Sequence, residues 1–194
     1  MQTMSSEQRE ELQDVWYGQI VTIVARWFLI GAGLLLTFWR AQGVGDAITP
    51  TYLIIALIAV NFLLHGRFAI GAPLRKEVVL GACVMDALII SLVIITTRWG
   101  AAKGIDNPFY IFYYPVILGF ALVFPWRLSF SFSALVIAVY AGIIFLDTPA
   151  FALDHATFEP VVARLITLAT TAVLGSMYWR MERKWRRSRL SLAS

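Results

Sequence analysis

The chain has 194 residues, 59% of them hydrophobic and only 14% charged, with a formal net charge of +4 and a mean hydropathy of +0.73. Soluble domains of this size carry roughly 25% charged residues, so water is excluded as the solvent for most of this surface. No nucleic-acid partner is expected, because the one basic cluster follows directly on an apolar run. The runs are continuous and do not alternate with period two, which argues against a β-barrel and predicts an all-α, polytopic membrane protein.

In chain order, residues 1–17 come first. Glu7, Glu10, Glu11 and Asp14 stand there against Arg9, the wrong charge for a signal n-region. Leu12, Val15, Trp16, Ile20, Ile23, Val24 and Trp27 recur at three- and four-residue spacing. That pattern predicts an amphipathic helix lying on the inner membrane surface before it turns into the first span. Six transmembrane helices are predicted, at about 18–39, 51–68, 78–98, 108–125, 128–146 and 160–180, each near the ~20 residues that cross a bilayer. Turn residues or charges mark the breaks. The break at Pro125-Trp126-Arg127 is so short that the fourth and fifth spans should form a tight antiparallel pair. Residues 181–194 form a basic tail, with Arg180, Arg183, Lys184 and Arg187 on one helical face and Arg186 beside them. Its simplest role is an anchor to anionic lipid.

Orientation follows from the lysines and arginines outside the spans. With the N-terminus inside, the inner segments hold Arg9, Arg67, Arg75, Lys76, Arg127, Arg180, Arg183, Lys184, Arg186, Arg187 and Arg189; the outer loops hold only Arg40, Arg98 and Lys103. This asymmetry puts both termini in the cytoplasm. Trp39 and Trp99 should mark the outer rim, Trp126 and Trp179 the inner one.

Ionisable groups inside a span are costly and are functional candidates by default. Arg26 in the first span and Asp86 in the third both lie about 12 Å from the inner end at ~1.5 Å per residue, with Asn61 of the second span at a similar level. A buried Arg26–Asp86 pair with Asn61 nearby is expected, fixing the packing of the first three helices. Arg164, close to the outer end of the sixth span, can snorkel or pair with Asp106 or Asp86; the outer rim and Asp106 fit better. Cys83, the single cysteine, lies in an apolar run and reads as an inert buried thiol.

Asn107-Pro108-Phe109 opens the fourth span. Asn107 suits a helix N-cap and Pro108 the first helical position. Phe109, Tyr110, Phe112, Tyr113 and Tyr114 make a dense aromatic surface. Such a surface, with tyrosine hydroxyls and the Asn107 amide as donors, suits a quinone ring. Pro115 cannot donate to the Ile111 carbonyl, so a kink and a lateral gap are expected there.

Gly104-Ile105-Asp106-Asn107-Pro108-Phe109 resembles the Gly-Gly-x-x-Asn-Pro-Phe signature of RegB/PrrB-type redox-responsive sensor histidine kinases. Lys103 stands where that signature has its first glycine. The order of Arg26-Trp27, Asp86, Thr96-Thr97, the outer turn and Tyr113-Tyr114-Pro115 is similar to that of bacterial sensor membrane domains more widely. The resemblance implies a six-helix input domain in the bacterial inner membrane, with a ubiquinone at the segment holding Gly104, Asn107, Pro108, Phe109, Tyr110, Tyr113 and Tyr114. Such kinases continue into a phosphoacceptor-histidine helix pair and an ATP-binding domain. The two histidines here, His65 and His155, fall at opposite membrane sides, and no glycine-rich ATP-binding box follows. No autophosphorylation is therefore expected of this polypeptide, and no haem, since two axial histidines must face one another. P-loop, zinc and Rossmann signatures are absent and no metal site is expected. The chain reads as a non-catalytic module, a homodimer or part of a larger complex. An accessory subunit of a respiratory or photosynthetic complex, or a small-solute-binding transport component, are the alternatives.

Overall fold

A computed structural model of the chain describes residues 6–70, 75–97, 107–147 and 155–193. Among them every regular element is helical: α1 (Ser6–Arg40), α2 (Val44–Ala69), α3 (Lys76–Thr96), a 3-10 turn (Pro108–Phe112), α4 (Tyr113–Val123), α5 (Trp126–Asp147) and α6 (His155–Ala193). The continuous apolar runs leave no polar stripe wide enough for an edge strand, and helices satisfy their own backbone groups without water.

Five stretches are long and apolar enough to cross a membrane: Gln19–Arg40, Val44–Ala69, Lys76–Thr96, Trp126–Leu146 and Phe158–Glu182. Their outward faces carry Phe28, Leu35, Phe62, Leu63, Leu92 and Leu174 in the open, which makes contact with a lipid bilayer the consistent environment. The segment expected to be the fourth span is shorter than predicted, Pro108–Val123. Its five 3-10 residues at about 2.0 Å and eleven α residues at about 1.5 Å give it roughly 26 Å. The expected mid-span kink at Pro115 is replaced by a change of helix type two residues earlier. Tyr113 N–H bonds back to the Tyr110 carbonyl, closing the 3-10 turn, and α4 starts there. Pro115 thus falls in the first turn of α4, where its missing donor costs nothing.

Successive helices alternate in direction. Trp16 meets Phe68, with ring centroids 4.6 Å apart, and Arg180 lies over the Trp126 ring; both contacts are at the end where α1, α3 and α5 begin, the proximal end. Asn107 meets Thr97 and Ile94, and Arg164 meets Tyr140, toward the other, distal end. Phe120 and Phe132 stack at 4.0 Å beside the short α4–α5 turn. α4 is the central post, packed by α1, α3, α5 and α6, whereas α2 packs chiefly on α1 and α3 at the periphery. Gly175 admits α6 against the post: a Cβ there would come within 3.0 Å of the Ala121 Cβ and 3.1 Å of Leu118 Cδ1.

The N-terminal segment does not turn before the first span. Residues 6–40 form one uninterrupted helix of 35 residues. At the other terminus α6 likewise runs through the basic residues without a break to Ala193.

Candidate functional site

α1 and α3 run in the same direction, so residues at equal depth face one another. Arg26 and Asp86 meet in this way, 1% and 3% exposed. Arg26 Nε donates to Asp86 Oδ2 at 2.7 Å, and Nη2 donates to Asp86 Oδ1 at 2.8 Å and to the Ala82 carbonyl at 2.6 Å. The fork matches the carboxylate bidentately, the strongest form of this contact. Arg26 Nη1 is buried with no hydrogen-bond partner among the described residues. Asn61 lies on α2 near the same level, since the neighbouring rings of Trp27 and Phe62 stand 5.4 Å apart edge to face. It is fully buried, and both its Nδ2 and its Oδ1 lack a partner among the described residues. Orphaned buried groups of this kind cost about 1–3 kcal/mol each. Asn61 therefore joins the pair in depth but not in bonding.

The ion pair borders two small spaces. One, of about 30 Å³, is walled by Leu29 and Gly33 of α1, Ile54 and Leu57 of α2, Asp86, Ile89, Ile90 and Val93 of α3, and Phe109 and Phe112 of the 3-10 turn. The other, about 10 Å³, lies toward α4 between Thr22, Arg26, Cys83, Asp86 and Phe120. A water needs about 10–15 Å³ and a ligand pocket usually measures ~300–1,000 Å³. The larger space is thus a seed that a ring-sized ligand must widen, by moving the two phenylalanines or α2. At ~24 cal/mol per Å³ the void costs about 0.7 kcal/mol.

At the distal end Asn107 caps the 3-10 turn: its Oδ1 accepts from Phe109 N–H at 3.0 Å. Its Nδ2 donates to Thr97 Oγ1 at 2.8 Å and to the Ile94 carbonyl at 3.3 Å, so the amide is consumed in tying the turn to the end of α3. Pro108 occupies the first position of that turn. Phe109, 2% exposed, and Phe112 point their rings into the larger space. Gly104 and Asp106 lie outside the described residues, and with them the expected Arg164–Asp106 pairing.

The tyrosines divide. Tyr113, fully buried, meets Ser91 Oγ at 2.7 Å; because Ser91 already donates to the Ala87 carbonyl, Tyr113 is the donor. Tyr114 bonds Thr167, whose own proton goes to the Arg164 carbonyl, so Tyr114 donates too. Tyr110 lies under the Arg164 guanidinium, 4.2 Å from the ring centroid, and Arg164 Nη1 donates to Tyr140 Oη at 3.3 Å. Tyr110 stacks on Tyr140 at 6.0 Å, which completes a cluster joining the 3-10 turn, α5 and α6. Tyr140, Ser91, Thr97 and the Ala82 carbonyl were not expected from sequence. Each sits as many residues from a helix end as its partner does, so depth counting extended to hydroxyl-bearing residues would have found them.

Arg180 stacks on Trp126 at 4.6 Å, with Arg127 on the same ring at 5.7 Å. Arg183, Lys184, Arg186 and Arg187 belong to α6, and their side chains are outside those described. The structure therefore brings Asp86, Phe109 and Phe112 to one cavity, sends Tyr110 to a second cluster, and spends Asn107 on a cap. No protein-family model, no curated protein and no solved structure matches the chain.

Proposed function

We propose that this chain is a non-catalytic input module of the bacterial inner membrane, crossing it six times with both termini in the cytoplasm and responding to a hydrophobic ligand of the quinone class. The proximal end is then the cytoplasmic one, in keeping with the excess of Lys and Arg there. The 26 Å segment from Pro108 to Val123 serves as the fourth crossing because protein rather than lipid surrounds it.

The observation that carries the reading is the shared cavity. Two aromatic rings of the Asn-Pro-Phe turn and one carboxylate of the buried ion pair line the same apolar space. A ring inserted between Phe109 and Phe112 gains stacking faces, and in the reduced, quinol form its hydroxyl gains Asp86 as acceptor. Burial of the ring in that space moves α2 or the 3-10 turn, and either motion is transmitted along rods that continue past the membrane surface. Asn107 supports the site by holding the turn and does not touch the ligand. Its proposed partner is a second copy of this chain or another subunit of a larger membrane complex.

The test is titration of the purified protein in nanodiscs with a short-chain ubiquinone, comparing wild type with Val93→Phe, which fills the cavity, and with Phe109→Ala. We expect saturable uptake by wild type and at least a tenfold weakening by Val93→Phe. Equal uptake by all three discards the site. For topology, a maleimide applied from outside should label Asp46→Cys and not Glu182→Cys in a Cys83→Ala background.

A further inference from the structure

We infer that α2 is a movable wall of the cavity and that Asn61 is its latch: α2 has a second seating in which the Asn61 side-chain oxygen accepts from Arg26 Nη1 and the cavity closes. The seating described above is the unlatched one, which a ring-sized ligand widens further. The ligand that holds it open rests on the function proposed here; the latch itself does not.

Three independent observations point to this. Asn61 is fully buried with both amide atoms unpaired, and at the same level Arg26 keeps one buried nitrogen unpaired while its other two are committed to α3. A donor and an acceptor buried near one depth on two packed helices, neither of them bonded, define a neighbouring state of lower polar cost. Secondly, the space that α2 must give up lies beside it, walled by Leu57 and Ile54, about one and two turns distal to Asn61. Thirdly, α2 is the peripheral helix of this group. It lies at the rim against α1 and α3, and its distal portion contains Pro50, whose missing N–H leaves the helix a bend point. Gly33 supplies the pivot, for a Cβ there would approach Ile54 Cδ1 to 3.3 Å.

The two seatings exclude one another. A ligand wedged against Ile54 and Leu57 keeps α2 away from α1, and an engaged latch leaves no room for the ligand. Affinity is then reduced by the fraction of molecules that are latched, and removing the latch restores it.

Spin labels at Leu63→Cys on α2 and Met177→Cys on α6, both exposed positions, read the motion in Cys83→Ala protein in nanodiscs without added ligand. Asn61→Leu, which suits an apolar position and keeps the fold, is expected to lengthen the mean α2–α6 distance and remove the shorter component. Asn61→Gln, which retains the acceptor, is expected to keep that component. Superimposable distance distributions for the parent and Asn61→Leu overturn the latch. With ubiquinone-1 as the probe, Asn61→Leu should bind roughly two- to tenfold more tightly than the parent. If no variant takes up the quinone, the ligand assignment falls and the distances alone decide the latch.

Discussion

Two arginines sit inside this bundle, and different chemistry keeps each of them there. Arg26 lies deep on the α1–α3 side, 1% exposed, with a carboxylate and a carbonyl gripping three of its donors. Arg164 lies half-buried near the distal end on the α4–α6 side, with the Tyr110 ring beneath it and the Tyr140 hydroxyl at its edge. Depth explains the division. A guanidinium far from either surface needs a full opposite charge, because the cost of bringing a bare ion there exceeds what dipoles return. Near a surface, aromatic faces and a hydroxyl suffice. The deep arrangement is rigid in its demands and leaves one guanidinium nitrogen over, and it is the side on which the cavity forms. The shallow arrangement knits the 3-10 turn to α5 and α6.

Breaking the deep side should do the most damage. Asp86→Leu leaves Arg26 buried without its carboxylate and is expected to cost ~3–5 kcal/mol, read as a large fall in melting temperature in detergent. Arg26→Met combined with Asp86→Leu should recover most of that loss; a double variant as unstable as the single would show that the two do not act as a unit. On the shallow side, Arg164→Leu removes a cation–π contact and a hydrogen bond and should cost about 1–2 kcal/mol. Asn107→Ala deletes the cap and the tie to Thr97, an expected ~1 kcal/mol, with Thr97→Val giving part of the same loss in a double-mutant cycle. Ser91→Ala, which takes one partner from Tyr113, should cost on the order of 1 kcal/mol or less. Reversal of this order between the two arginines would mean that depth is not what separates them.

Much of this is legible in the sequence. Apolar run length marked the helices, and counting residues from the ends of parallel spans paired Arg26 with Asp86, because a helix rises by a constant step. Asn107 and Pro108 announced a cap by residue type alone. What could not be read was the helix type that follows: the 3-10 turn trades one hydrogen-bond spacing for another without changing composition, so the segment looked like a full-length span. The uninterrupted α1 was hidden for a similar reason, since an amphipathic stretch looks the same whether it lies along a surface or continues a rod. Arg164 and Tyr140 were missed as partners because a tyrosine inside an apolar run reads as bulk, although its hydroxyl must find a mate there.

The central position of α4 bears on how the molecule is made. Synthesis delivers α4 when only α1 and α3 are in place to receive it, and α5 and α6 enclose it afterwards. Until Gly175 of α6 slides against Leu118 and Ala121, one flank of the most interior helix must be sheltered by lipid or by a helper. A ribosome stalled before α6 should therefore leave an insertion intermediate that proteases of the membrane can distinguish from the finished chain.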